Sequence, residues 1–135
     1  MANEAVIVEL NRFATPVSFT VDNTEAVEKG TIMYMTDPKT CTKTTGTGHQ
    51  VFAGIAATEK VASDGQVKLG LWVPGQNNIF DLYTAGTITV GTNVVTSGAN
   101  TIGASVDADF EAGIVIGQAL EAAAAGTPEV IQVRV

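Results

Sequence analysis

The sequence predicts an all-β protein, a small β-sandwich or barrel with at most one short helical turn. Three observations carry this. Apolar and polar residues alternate with period two at several places along the chain, the pattern of half-buried strands. Glycine, asparagine and aspartate interrupt these runs at close spacing, which suits strands joined by turns. The sequence closes on Val130-Ile-Gln-Val-Arg-Val135, an apolar stretch that would be a sticky edge unless it were paired into a sheet.

Between Ala5 and Asn11, Val6, Val8 and Leu10 face one way and Glu9 and Asn11 the other. This is the pattern of an edge strand, or of an arm that becomes a strand on a partner. Pro16 lacks a backbone donor and holds Thr15 extended, so residues 1–15 are expected as an N-terminal arm and residues 16–135 as a single β-rich domain. Val17, Phe19 and Val21 alternate with Ser18, Thr20 and Asp22 as a second strand, and Glu28-Lys-Gly30 turns the chain into a third at Thr31–Thr36. Asp37–Gly48 is expected as a long polar loop, the most mobile part by composition.

Val51–Lys60 and Val67–Val73 are expected as strands joined around Asp64-Gly65, a hairpin signal. Val67, Leu69, Leu71 and Val73 share one face, with Trp72 on the other beside Lys68 and Gly70. Trp72 is therefore either a contact residue on a wet face or part of a sheet packed on both sides. Further strands are expected at Ile79–Tyr83, Thr87–Val90 and Asn93–Thr96, and Ser97–Ala104 has the composition of turns. Val106–Ala112 suits one helical turn.

The last third is expected to form a closing β-hairpin, Ile114–Ala123 against Val130–Val135, with its break at Ala124–Pro128. Ala122–Ala125 followed by Gly126 would also suit a helix and its cap. Against a helix stand the β-branched run Ile114, Val115, Ile116 and two glycines, Gly113 and Gly117, each costing about 1 kcal/mol in a helix. No fixed repeat period is visible, which excludes a solenoid.

The 135 residues, 45% hydrophobic and 16% charged, suit one globular domain. The net charge of −7 divides into −3 over residues 1–30, +1 over 31–68 and −5 over 69–135. Such a surface repels phosphate, so nucleic acid is not expected as a partner. Cys41 is the single cysteine, consistent with folding in a reducing cytosol, and neither an export signal nor a membrane-length apolar run is visible.

Sites for chemistry are sparse. His49 in Thr47-Gly48-His49-Gln50 has no second histidine to complete a zinc site with Cys41, and Gly46-Thr-Gly48 lacks the lysine of a phosphate cradle. Asp107, Asp109 and Glu111 have the spacing that opens a calcium loop. Ala112 stands where its glycine belongs and Gln118 where its closing glutamate belongs. No catalytic residues, metal or cofactor are expected.

Glu28-Lys-Gly-Thr31, Val51-Phe-Ala-Gly-Ile55, Ala85-Gly-Thr-Ile-Thr-Val-Gly91 and Gly113–Gly126 before a short last strand together resemble the bacteriophage capsid cement, or head decoration, proteins, from about residue 17 onward. The Asp37–Gly48 stretch has no match in that pattern. The resemblance implies a non-enzymatic virion protein, made in the host cytoplasm and carried on the outer capsid surface. It also implies a homotrimer that bridges copies of the major capsid protein of the same phage, with no membrane partner. Val6, Val8, Leu10, Arg12 and Trp72 are the expected shell or subunit contacts. The alternatives are a glycan-binding or fibre-like β-domain with Trp72 and Tyr83 as platform, and a small β-barrel hydrolase using Asp107, Asp109 or Glu111.

Overall fold

The computed structural model describes residues 3–46, 48–84, 86–106, 108, 109, 112, 114–124 and 129–135. These residues form an all-β protein, and their only helical positions are Ala108 and Asp109. The strands are β1 (Val6–Glu9), β2 (Val17–Val21), β3 (Ile32–Asp37), β4 (Thr40–Lys43), β5 (Phe52–Ala56), β6 (Lys68–Trp72), β7 (Ile79–Thr84), β8 (Asn93–Thr96), β9 (Thr101–Ala104), β10 (Gly117–Ala119) and β11 (Glu129–Arg134).

They close into two five-stranded barrels. The first runs β2-β4-β3-β5-β6 and back to β2. The second runs β7-β9-β8-β10-β11 and back to β7, with β1 added to β7 outside the ring. In each ring the first and third strands pair in parallel and the other four pairings are antiparallel. The second barrel therefore repeats the first, at an offset of about 62 residues.

The likeness extends to single positions. Beyond the strands, an isolated bridge Val27↔Lys60 in the first barrel answers Ile88↔Ala123 in the second. Gly30 and Gly91 both turn with left-handed backbone, φ +89° and +86°. Gly54 and Gly117 both lie so close to a neighbouring strand that a Cβ would strike a backbone oxygen, that of Trp72 and of Arg134 respectively.

Phe19, Val21, Val27, Met33, Cys41, Ala53, Ala56, Leu69 and Leu71 fill the first barrel. The second is filled by Phe80, Leu82, Ile88, Val94, Ile102, Ile116, Ala119, Ile131 and Val133. That second core continues onto the outer face of the first barrel through Ile32, Phe52, Ile55 and Trp72. The sheet at β5 and β6 is thus packed on both sides, so of the two placements expected for Trp72 the packed sheet holds and the wet face does not: it is 9% exposed. Polar groups pin the junction. Asn100 is fully buried: its side-chain Oδ1 accepts the Ile32 N–H at 2.9 Å, and its main-chain N–H donates to Thr44 Oγ1 at 3.0 Å. His49 N–H donates to the Thr96 carbonyl at 2.8 Å.

Several expectations need correction. Asp37–Gly48 is not one long loop: Pro38-Lys39 turns β3 into β4, and β4 closes the first barrel against β2. Ser97–Ala104 contains β9, while Thr87–Val90 contributes only the bridge at Ile88. β5 and β6 pair, but across a long connection in which Asp64-Gly65 is only one turn. The closing hairpin forms as β10 against β11, with β10 shorter than expected; its break at 125–128 lies outside the described residues.

Candidate docking surface

The N-terminal segment is laid on its own body. Val6, Ile7 and Glu9 pair with Asp81, Phe80 and Ile79, with an irregularity between Ile7 and Glu9. Ahead of the strand, Ala5 N–H donates to the Gly30 carbonyl at 2.8 Å, and a side chain at position 30 would strike that Ala5 backbone. After it, Asn11 takes hold of the linker between the barrels: its N–H donates to Asn78 Oδ1 at 2.8 Å and its side-chain amide to the Gln76 carbonyl at 3.1 Å. Gln76 in turn donates to the Thr15 carbonyl at 2.8 Å. Each of these bonds satisfies a main-chain group that would otherwise compete for water.

This anchoring fixes which way the strand's side chains point. Ala5 is buried and Ile7 packs against the second barrel's core. Val6, Val8 and Leu10 face outward, with Val6 60% exposed. Phe13 follows at 79% exposure, its ring 4.7 Å from the Arg12 guanidinium, a cation over an aromatic face. The four expected contact residues of the N-terminal segment, Val6, Val8, Leu10 and Arg12, are thus all exposed, and Trp72 is not. Phe13 extends this exposed strip of chain but was not singled out by the sequence, where a lone aromatic ahead of Thr15-Pro16 carries no periodic signal.

Beneath the strip lies a cavity of about 320 Å³ lined by Ala5, Val6, Ile7, Lys29, Gly30, Ile55, Ala56, Trp72 and Phe80. Its walls are mostly apolar. The Trp72 indole Nε1 is buried without an acceptor among the described residues.

The groups weighed for catalysis lie apart from the strip. His49 Nδ1 is 2.7 Å from Asp109 Oδ1, joining the loop before β5 to the short helical turn. The Val106 N–H, aided by the His49 ring, holds the Asp109 carboxyl below its ordinary value, although its enclosure acts the other way. Asp107 and Glu111 lie outside the described residues. Cys41 is buried in the first barrel, where enclosure and then the charge of Glu25 push its thiol up to about 11. Among the described residues, no three His, Cys, Asp or Glu side chains gather as a metal site, and no helix is long and apolar enough to cross a membrane. Tyr83 is partly buried on β7 and Trp72 is enclosed, so the two do not make an exposed aromatic platform.

No protein-family model and no curated protein matches the sequence. The fold is similar to the crystal structure of the head fiber gp8.5 N base in bacteriophage phi29. The TM-score is 0.52 at 18% sequence identity, and the match covers 88% of this chain and 94% of that one.

Proposed function

We propose that this chain is a structural, non-catalytic protein mounted on the outside of a phage head, where it bridges neighbouring copies of the major capsid protein. The observation that carries the reading is the likeness to a head fibre base over nearly the whole of both chains. The outward strip Val6-Val8-Leu10-Phe13 supports it, because an apolar face of this kind marks a surface that another protein covers. Arg12 supplies a cation at the rim of the strip, within a segment that is otherwise acidic.

The strip is small beside the roughly 800 Å² per partner of a stable interface. Attachment therefore depends on several copies engaging at once, and self-association into a trimer supplies that multiplicity. The test is co-sedimentation with heads prepared without this protein. The wild-type chain should pellet with them saturably, and a Val8→Asp, Leu10→Asp double variant should fold normally and stay in solution. A wild-type chain that never pellets with heads overturns the reading. Sedimentation equilibrium at micromolar concentration tests the trimer separately.

A further inference from the structure

The repeat shows something about the first barrel that the first barrel alone does not. In the second barrel, one edge of β7 is occupied by β11 from Ile79 to Thr84. Its other edge is shared: β9 takes Tyr83 and Thr84, and β1 takes Ile79, Phe80 and Asp81. In the first barrel, β6 lines β2 from Val17 to Thr20, and β4 takes only Thr20 and Val21 on the far edge. No described strand stands where β1 stands on β7.

We propose that this open edge of β2, centred on Ser18, accepts an extended strand from another chain in the way that β7 accepts β1. The backbone direction is fixed by two hydrogen bonds. Val21 N–H donates to the Val67 carbonyl, toward β6, and Thr20 N–H donates to the Lys39 carbonyl, toward β4. Successive residues of a strand point their main-chain groups to opposite edges, so Ser18 presents its N–H and C=O to the open edge. Ser18 is exposed.

The occupant follows from the counterpart. β1 runs antiparallel to β7 and turns a small and a branched apolar side chain, Ala5 and Ile7, toward the core. An antiparallel segment of alternating apolar residues therefore fits β2. Exposed Lys39 and Lys68 both lie at the Thr20 end of this edge, where the Lys68 ammonium reaches Thr20 Oγ1, so an acidic residue at the matching end of that segment complements it. β1 itself is engaged on β7 and cannot supply it, so the strand comes from a second polypeptide. Its source, a capsid subunit, rests on the head-mounted reading above. Pairing over about three residues gives only one or two main-chain hydrogen bonds beside the apolar side chains that the segment buries, so on a head the contact is reinforced by multiple copies.

The probe is a synthetic peptide with the sequence of residues 3–11, which carries β1's alternation and two glutamates. It is titrated to millimolar concentration into the full chain while amide hydrogen exchange is followed by NMR. The peptide should slow exchange at the Ser18 amide at least tenfold while leaving Phe19, which faces β6, unchanged. Ser18→Pro should keep the fold, because that N–H is outside the β6 ladder, and should abolish both peptide binding and co-sedimentation with heads. An unprotected Ser18 amide at saturating peptide overturns the proposal, as does undiminished head binding by Ser18→Pro. Failure of the wild-type chain to bind heads, with Ser18 protected by peptide, overturns the head-mounted reading instead.

Discussion

Residues 17–72 and 79–134 trace the same ring of five strands, yet few of the equivalent core positions share a residue. Phe19 and Ala53 of the first barrel answer Leu82 and Ile116 of the second, a large-small pair exchanged for two of middle size. Cys41 answers Ile102. At the isolated bridges the change is extreme, since buried Lys60 stands opposite Ala123. What stays constant is backbone chemistry: the left-handed glycine after the bridge residue, the close-approach glycine on the fourth strand, and the parallel pairing of strands one and three. A volume-conserving exchange of side chains is cheap, whereas a Cβ placed against a carbonyl is not. The plan is thus held by a few positions where the chain must pass close to itself, and the interior is free to vary around them.

The largest test of that comparison is Lys60. Its Nζ donates to the carbonyls of Asn23, Glu25 and Val61 at 2.8, 2.9 and 3.2 Å, and lies 3.3 Å from Asp64. Lys60→Ala copies the second barrel's residue into the first but strands those acceptors. It should cost about 3–5 kcal/mol in chemical denaturation, the scale for removing one partner of a buried charged network. A loss below about 1 kcal/mol would show the two bridges to be interchangeable.

The turn glycines come next. Gly30→Ala meets both a left-handed φ and the Ala5 backbone, whereas Gly91→Ala meets the same φ with only the end of Gln118 nearby. The second should cost about 1–2 kcal/mol and the first about 1–3 kcal/mol more. Equal losses would mean that Ala5 and β1 yield without cost.

Smaller effects separate the two cores by pH. The Cys41 thiol stays neutral in the fold to about pH 11 but ionises near 9.0 when the chain unfolds. Its contribution is therefore complete below pH 9.0 and is lost as pH rises toward 11. Cys41→Val should flatten that alkaline decline, and the rate at which a thiol reagent labels the wild type should match the rate of opening. At the acid end Asp109, held below 3.8, stabilises the barrel junction above that pH, and the contribution is lost as pH falls through its lower folded value. Asp109→Asn should remove that slope, with the smallest change in midpoint of the set.

The sequence carried the first barrel more clearly than the second. Val17, Phe19 and Val21 in β2 and Val67, Leu69, Leu71 and Val73 around β6 recur at every second position, whereas in the second barrel Ile79-Phe80 interrupts the alternation of β7 and Asn93–Thr96 was marked by the turn before it. β9 and β10 were hidden or misjudged in length because Thr-Ile-Gly-Ala and Gly-Gln-Ala have the composition of turns, and only pairing on both sides makes them strands. β4 was lost in a polar run for the same reason. The repeat itself was invisible, because it is kept by backbone approach and not by side-chain identity. For the docking surface, the alternation of Val6, Val8 and Leu10 was visible, but which face would look outward was not. Only the register on β7 decides that Ile7 goes in. Trp72 sat opposite the obvious apolar face, and no pattern within its strand could reveal a second barrel packed there.

The pairing of β1 with β7 also sets an order of events during synthesis. β1 leaves the ribosome first, and its place on β7 does not exist until some seventy residues later, with β11 later still. At roughly 5–20 residues per second, an apolar strand waits several seconds with neither edge paired. The first barrel can close in that interval without it. Newborn chains crowded on one message are therefore exposed, for those seconds, to taking up one another's N-terminal strands, and Glu4 and Glu9 at its ends are the charges that discourage the exchange.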